Sequence, residues 1–477
     1  MIDLTADLLR ATDPEVMARS FSAFFKREYP GRGLKVSQCQ VDRVYRKPGK
    51  KCTITYRVQG NDDAAQSFDN WFYGKISATG EGNDKELPEE WPGCGFWKPV
   101  SQWPEMNMVL YAFPYDRRLP YLGQLLEPEF VKRRVEQSLP RFGLSDELKC
   151  REATCERIKY RVGKRCVLRY KLLMVDAVGK PQSRVFYGKT YDDAKSRYVY
   201  EALQKICASE VCKSSPLNIP APILHVDGAN TLWQEAWEGE RLVSAGKEFG
   251  WANLPGSGFL PKIAAMLAAL QRMELTDPPL ELGPGPKEVL KNAFEDTANI
   301  LQFAPEQQQR LTRITKALIR FAPAVDERIP HTTIHGTFKI AQILCRDGQL
   351  ALVDFDSIAY GDPLYDVAEF IASLVFLVVS DGIPAAPLTE SAQLFLSSYQ
   401  KQVFWICDRR RLAWYVVVFL LGKIHSILKK LNTEEIANIT SGFALVEEWL
   451  AIVEAEGVNH DRSQSHERAS AGGDQSL

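Results

Sequence analysis

The sequence predicts an α+β chain in which two successive antiparallel β domains lead into a long helical domain. Three observations predict it. A run of strand-forming residues recurs at a fixed offset in the first half, apolar residues fall at helical spacing through most of the second half, and a short strand pair ending in two aspartates interrupts those helices.

The recurring segments are RKPGKKCTITYRV at 46–58 and YRVGKRCVLRYKL at 160–172, followed by WFYGK from 71 and VFYGK from 185. Gly49 and Gly163, Cys52 and Cys166, Tyr56 and Tyr170, Tyr73 and Tyr187, and Lys75 and Lys189 are each 114 residues apart. In each copy β-formers alternate with charged residues around a glycine turn, which predicts strand, turn, strand and a third strand ending in Tyr-Gly-Lys. A weaker echo pairs NMVLYAFPYDRRL from Asn107 with NTLWQEAWEGERL from Asn230 at an offset of 123, so the second copy holds nine more residues, 123 minus 114.

Those residues fall near a predicted helix. After Lys189, DDAKSRYVYEALQKI begins with acids and places Ala194, Tyr198, Ala202 and Ile206 at helical spacing. Glu201 lies seven residues beyond Ala194, on the same helical face, directed towards the sheet. After Lys75 the chain reads ISATGEGNDKELPEEWPG, whose glycines and prolines predict no comparable helix.

Composition excludes several classes. The chain has 477 residues, 45% hydrophobic and 25% charged, enough for a large core in two or three domains. A formal net charge of -1 provides no global attraction to nucleic acid or an anionic membrane. The ten cysteines form no zinc-like cluster and read as reduced thiols. The opening MIDLTADLLRATDPE lacks a basic flank and a long apolar core, so a cytoplasmic location is expected. Leu412 to Gly422, between Arg411 and Lys423, is shorter than the ~20 residues of a membrane helix and reads as a buried one.

The segment from Ile334 to Leu374, IHGTFKIAQILCRDGQLALVDFDSIAYGDPLYDVAEFIASL, is the chemically informative one. Two strands precede a helix that Asp362 caps and Pro363 opens. Phosphoryl transfer from a magnesium nucleotide needs a carboxylate at a strand end to hold the metal, a second oxygen ligand, and cations facing the phosphates. Asp354 and Asp356 lie two apart at a strand end, Gln342 offers an amide oxygen, and Lys339 lies between the loop and these ligands.

HG-x-F-x-x-x-Q followed by VDFD and GDPLYDVA resembles the aminoglycoside phosphotransferase and choline kinase superfamily, distant relatives of protein kinases. The resemblance covers residues 150–455. It implies a two-lobed protein-kinase-like fold with an antiparallel β N-lobe and a helical C-lobe, here preceded by a duplicated N-lobe-like β domain. By order, Lys189 matches the strand lysine facing the nucleotide phosphates, and Glu201 its helix partner. Asp354 matches the metal-binding aspartate, Asp366 the helix acid bracing the loop, and Gln234, Glu235, Ala236 and Trp237 the hinge that meets adenine. ATP and Mg2+ are the implied cofactors.

Three positions depart from that family's pattern. The loop base, an aspartate in HGD, is Thr337; the usual asparagine metal ligand is Gln342; and a single Gly163 stands for a fuller glycine-rich loop. Glutamine retains the ligand oxygen. Threonine cannot accept a proton as a carboxylate does, and general-base help is worth about 10²- to 10⁴-fold. Asp356 is the substitute base on this reading and Lys339 the stabiliser of the moving phosphoryl group. His335 reads as a packed residue shaping the loop, and Asp362 as a helix cap. Lys164 and Arg165 are placed either to reach phosphates or to form an exposed basic turn.

The domains expected are a helical lead at 1–30, a first copy without helix at 31–147, a kinase-like N-lobe and hinge at 148–240, a helical C-lobe at 241–455 and a disordered tail at 456–477. Helices are expected near 258–273, 286–303, 305–321, 389–406, 409–430 and 433–454. The function implied is transfer of phosphate from ATP to a hydroxyl of a small molecule, with neither nucleic acid nor membrane as partner. Thr337 keeps a second reading open, a catalytically inactive nucleotide-binding or regulatory module of the same shape.

Overall fold

The computed structural model describes all residues except 1–3, 48–50, 78–87, 89, 276–279, 431–437 and 471–477. The chain divides into two compact units, one of residues 1–198 with 222–236, the other of residues 199–221 with 237–477.

The first unit holds two five-stranded antiparallel sheets. One contains β1 (Lys35–Lys47), β2 (Lys51–Asn61), β3 (Ser67–Ser77), β4 (Val100–Trp103) and β5 (Met108–Ala112). The other contains β6 (Lys149–Arg161), β7 (Arg165–Val175), β8 (Pro181–Tyr191), β9 (Pro222–Val226) and β10 (Thr231–Glu235). Their strand orders are the same, β1-β2-β3-β5-β4 and β6-β7-β8-β10-β9. Equivalence extends to register: Lys75 faces Val109 on β5, and Lys189 faces Leu232 on β10. The turn residues that begin the 123-residue echo, Asn107 and Asn230, both adopt the left-handed conformation, at φ 47° and 45°, which asparagine tolerates better than most residues.

The repeat reaches further back than its sequence signature. Helix Pro14–Glu28 packs on β1, and helix Pro128–Glu136 packs on β6, their first residues again 114 apart. Tyr56 donates its hydroxyl to the Ala11 carbonyl at 2.9 Å, and Tyr170 donates to the Leu125 carbonyl at 3.0 Å. The helix at residues 14–28, read as a separate lead, is therefore the opening element of the first copy. The expected absence of a helix after Lys75 falls mostly on residues 78–87 and 89, outside the described residues.

Aromatic side chains fill both copies. Phe21 and Phe25 from the first helix meet Phe72 at 5.5 and 5.7 Å between ring centres, and Tyr170, Phe186 and Trp233 pack together in the second copy. Each fully buried ring of this size contributes about 1.5–3 kcal/mol of transfer free energy. Between the copies, the Arg157 guanidinium lies 3.1 Å over the Trp71 ring. Burial lowers the Arg157 pKa to about 10, which reflects the cost of desolvating the cation that the indole face offsets.

The second unit is mostly helical. Helix Arg409–Lys430 packs against Pro363–Val375, Pro286–Phe303 and the final helix, Ile439–Ser470, while Phe259–Gln271 packs against Ala385–Gln400. Among the described residues, two helical stretches reach the length and apolarity of a membrane span, Pro363–Ser380 and Arg409–Leu428, but 83% and 67% of them lies inside the protein, which makes them core helices. The sequence places one helix at 305–321, and the structure divides it into a 3-10 turn at Pro305–Gln307 and a helix at Gln308–Arg320. The helix placed at 389–406 begins and ends earlier, because the chain turns away after Gln400 and Trp405 then donates to the Tyr399 hydroxyl at 3.0 Å. The final helix runs to Ser470, into the tail read as disordered; no proline interrupts residues 456–470, and propagating an existing helix needs no new nucleus.

The equivalent tyrosines give a test of the duplication. Tyr56→Phe and Tyr170→Phe each leave a buried carbonyl without its hydroxyl donor, so each should lower the urea unfolding free energy of the first unit by about 1–2 kcal/mol. A loss confined to one of them would argue that the two helix-to-sheet contacts are not equivalent.

Candidate active site

The loop at residues 335–342 leaves β12 (Thr332–Ile334), which pairs with β15 (Ala359–Gly361). Between them, β13 (Ile343–Arg346) and β14 (Gln349–Leu352) form a hairpin closed by Asp347 and Gly348, both at positive φ. A two-residue Asp-Gly turn of this kind suits the strand twist. The hairpin extends to β11 (Glu240–Arg241), where Arg241 lies opposite Leu344.

Asp366 fixes the start of the loop. Its carboxylate, fully buried on helix Pro363–Val375, accepts the His335 N–H at 2.6 Å and the Gly336 N–H at 2.9 Å. Burial raises its pKa to about 7 against the pull of those two bonds. The helix is aimed by Asp362, which caps Leu364 at 2.9 Å and also accepts from Arg411 at 2.5 Å and Tyr415 at 3.0 Å. Gly336 has φ 74°, and a Cβ there would lie 2.1 Å from the Ser357 carbonyl oxygen, so no other residue fits without displacing the segment.

His335 is enclosed, its ring 4.8 Å from Phe355. Its Nε2 lies 3.1 Å from the Val353 carbonyl oxygen. A carbonyl only accepts, so Nε2 carries the proton. In the neutral ring Nδ1 is then the acceptor facing the Thr337 hydroxyl at 3.4 Å. The pair orients the side chain at the position where a loop base would stand.

Beyond β14 the backbone turns sharply at Asp354, a non-glycine residue at φ 72°. Left-handed backbone costs an ordinary residue about 1–3 kcal/mol and concentrates at functional sites. It brings Asp354 beside Gln342, whose Nε2 lies 3.1 Å from Asp354 Oδ2. Turning the amide over would present its oxygen instead, and carboxylate and amide oxygens are the hard donors that suit magnesium. The residues present therefore fit that ion. Asp356 is buried two residues on.

Lys339 and helix residue Glu369 line a cavity of about 330 Å³ together with Asn292, Asp296, Tyr365, Phe419 and Lys423. Glu369 is 8% exposed, and its Oε2 has no hydrogen-bond partner among the described residues. Burial raises its pKa, while Lys339 and Lys423 pull the other way. Sequence reading passed over Glu369; the signal was a second acid three residues after Asp366, on a helix otherwise apolar along its length.

The structure brings Thr337, His335, Gln342, Asp354 and Asp366 together, with Lys339 at the cavity. The remaining candidates divide between the units. Lys189, on β8 opposite Val167 and Leu232, and Gln234, Glu235 and Ala236 belong to the first unit, whereas Glu201 and Trp237 belong to the second. Trp237 carries Arg346 5.5 Å over its ring.

Residues 198–393 match the phosphotransferase enzyme family. The resemblance to the aminoglycoside phosphotransferase and choline kinase superfamily therefore stands over that segment, which contains the loop, Asp354 and Asp366 but begins after Lys189. Among solved structures, the chain is similar to an amicoumacin kinase in complex with AMP-PNP, Ca2+ and Ami, at 15% identity and a TM-score of 0.40 over 61% of this chain and 88% of that one. It is similar to choline kinase from Cryptosporidium parvum Iowa II, at 10% identity and 0.46 over 69% and 97%. A spectinomycin phosphotransferase bound to ADP and its antibiotic gives 11% identity and 0.43 over 69% and 98%. No curated relative matches the chain by sequence.

Asp366 has a pH signature. Its folded pKa, about 7, lies above the ordinary 3.8, so between those values the folded chain holds a proton that the unfolded chain has released. The contribution of Asp366 to stability is therefore full at low pH, falls as pH rises from about 4 and is lost above about 7. Asp366→Asn should flatten that part of the urea-measured stability curve while lowering stability by about 1–3 kcal/mol through the lost acceptor. Curves that stay parallel from pH 4 to 8 would contradict the assignment. Gly336→Ala should cost at least about 2 kcal/mol, read from the same titration.

Proposed function

We propose that this chain is a phosphotransferase that moves the γ-phosphoryl group of ATP to a hydroxyl of a small molecule. The observation that carries the reading is the loop itself: two backbone N–H groups tied to buried Asp366, with Asp354 turned into left-handed backbone beside the Gln342 amide.

The roles follow from the chemistry. Asp354 and Gln342 would hold Mg2+, which when bound neutralises charge on the phosphate oxygens. Lys189 would balance further phosphate charge, with Glu201 as its partner, and residues 234–237 would meet the adenine. Lys339 would face the moving phosphoryl group. In the step, the bond from the γ-phosphorus to the ADP oxygen breaks, a bond to the acceptor oxygen forms, and the acceptor's proton passes to Asp356. Positioning and charge stabilisation supply most of phosphoryl transfer, so Thr337 slows such an enzyme without abolishing it. The cavity beside Lys339, with Glu369, Asp296 and Lys423 on its walls, supports a compact polar acceptor.

Turnover of ATP with magnesium across a panel of sugars, amino alcohols and aminoglycosides tests this. Asp354→Ala should lower turnover by about 10²-fold or more, and Thr337→Asp should raise it, by up to about 10²-fold. Unchanged turnover in Asp354→Ala would remove the metal site. Nucleotide binding without turnover across the panel would favour the non-catalytic reading that Thr337 motivates.

A further inference from the structure

The first copy makes a contact that neither the loop chemistry nor the matched segment includes. Four residues past the end of β5, at the position that echoes Gly239 in the second copy, the chain runs into Asp116, which is 3% exposed. One of its carboxylate oxygens accepts the Tyr160 hydroxyl at 2.7 Å and the Gly163 N–H at 2.7 Å, while the other accepts its own loop's Arg118 N–H at 2.9 Å. Gly163 is the left-handed residue at the tip of β6 and β7, the turn standing for the glycine-rich loop.

The grip has a second point. Arg118 pairs with Asp192, which also accepts Lys164 Nζ at 3.1 Å and donates its own N–H to the Lys164 carbonyl at 3.1 Å. Asp116 of the first copy thus holds Gly163, and Asp192 of the second, paired with Arg118 of the first, holds Lys164. Tyr160, the donor at the base of the turn, is wedged between Phe113 at 5.2 Å and Tyr73 at 6.2 Å, both from the first copy.

The first copy meanwhile has its own strand lysine committed elsewhere. Lys75, the equivalent of Lys189, lies 4.6 Å over Tyr111, and Tyr111 stacks on Tyr73 at 4.5 Å and 4°. Tyr111 occupies the place in the echo that Gln234 holds in the second copy. Stacked rings therefore cover the surface that the proposal for the second copy assigns to a nucleotide.

We propose that the first copy is a brace: it binds no nucleotide and instead uses Asp116 as a positioning residue for the Gly163–Lys164 turn. A brace of this kind removes conformational freedom that nucleotide binding would otherwise have to remove. Its link to nucleotide rests on the function proposed above; its mechanical part does not.

Hydrogen exchange at the Gly163 amide, which donates to Asp116, and at the Asp192 amide, which donates to the Lys164 carbonyl, separates the two. In Asp116→Asn and in Asp116→Ala, exchange at Gly163 should quicken by roughly tenfold or more, the loss of a hydrogen bond to a charged group, while amides in β1 to β3 keep their rates. Arg118→Ala, at a residue 58% exposed and so tolerant of change, should quicken exchange at Asp192, whose N–H donates to the Lys164 carbonyl, and keep the fold even if both Asp116 variants do not. In turnover, the Asp116 variants should raise KM for ATP several-fold and leave KM for the acceptor and kcat nearly unchanged. Unaltered exchange at both amides in folded variants would overturn the brace. Faster exchange with unchanged KM for ATP would overturn its link to nucleotide. Faster exchange in a protein that binds no nucleotide would support the brace while refuting the function proposed above.

Discussion

The site depends on one buried carboxylate. Asp366 accepts two consecutive backbone N–H groups from His335 and Gly336, and through them sets where Thr337, Lys339 and the segment up to Gln342 lie. Burial works against its charge, and the two bonds work for it. That balance makes the group worth keeping only where the backbone cannot be satisfied otherwise. The Gly336 to Ser357 approach and the left-handed Asp354 follow from the same tight turn, since both bring loop backbone against the strand end.

The duplicated sheets show how one supersecondary unit can carry two tasks. In both copies a helix, three long strands and two short ones enclose an aromatic core, and a strand lysine stands in the same register. The copies differ in the ring beside that lysine: Lys75 lies 4.6 Å over Tyr111, whose place in the second copy Gln234 holds, whereas Lys189 lies 6.0 Å over Tyr191. A fold does not dictate chemistry, and here the difference lies in a few side chains facing one strand.

Much of this was legible in the sequence because the features were local. The offset of 114 is visible where glycine, tyrosine and lysine positions are fixed by turn geometry and sheet register, and the loop is visible because histidine, glycine and aspartates sit within a short span. The leading helices were not paired, because their buried positions exchange Met17 for Val131 and Phe21 for Val135, which preserves the apolar face while erasing the letters. Asp116 was passed over for a different reason: an acid in a loop carries no signal until tertiary structure brings Gly163 to it. Glu369 was hidden within an apolar helix, and only the cavity that it lines sets it apart.

The most direct measurement is calorimetric titration of ATP into the full chain, with and without magnesium. If a sheet lysine and a strand-end aspartate serve the same nucleotide, saturable binding appears, strengthens with magnesium, and is lost or greatly weakened in both Lys189→Ala and Asp354→Ala. Binding indifferent to magnesium and to both substitutions would contradict the account.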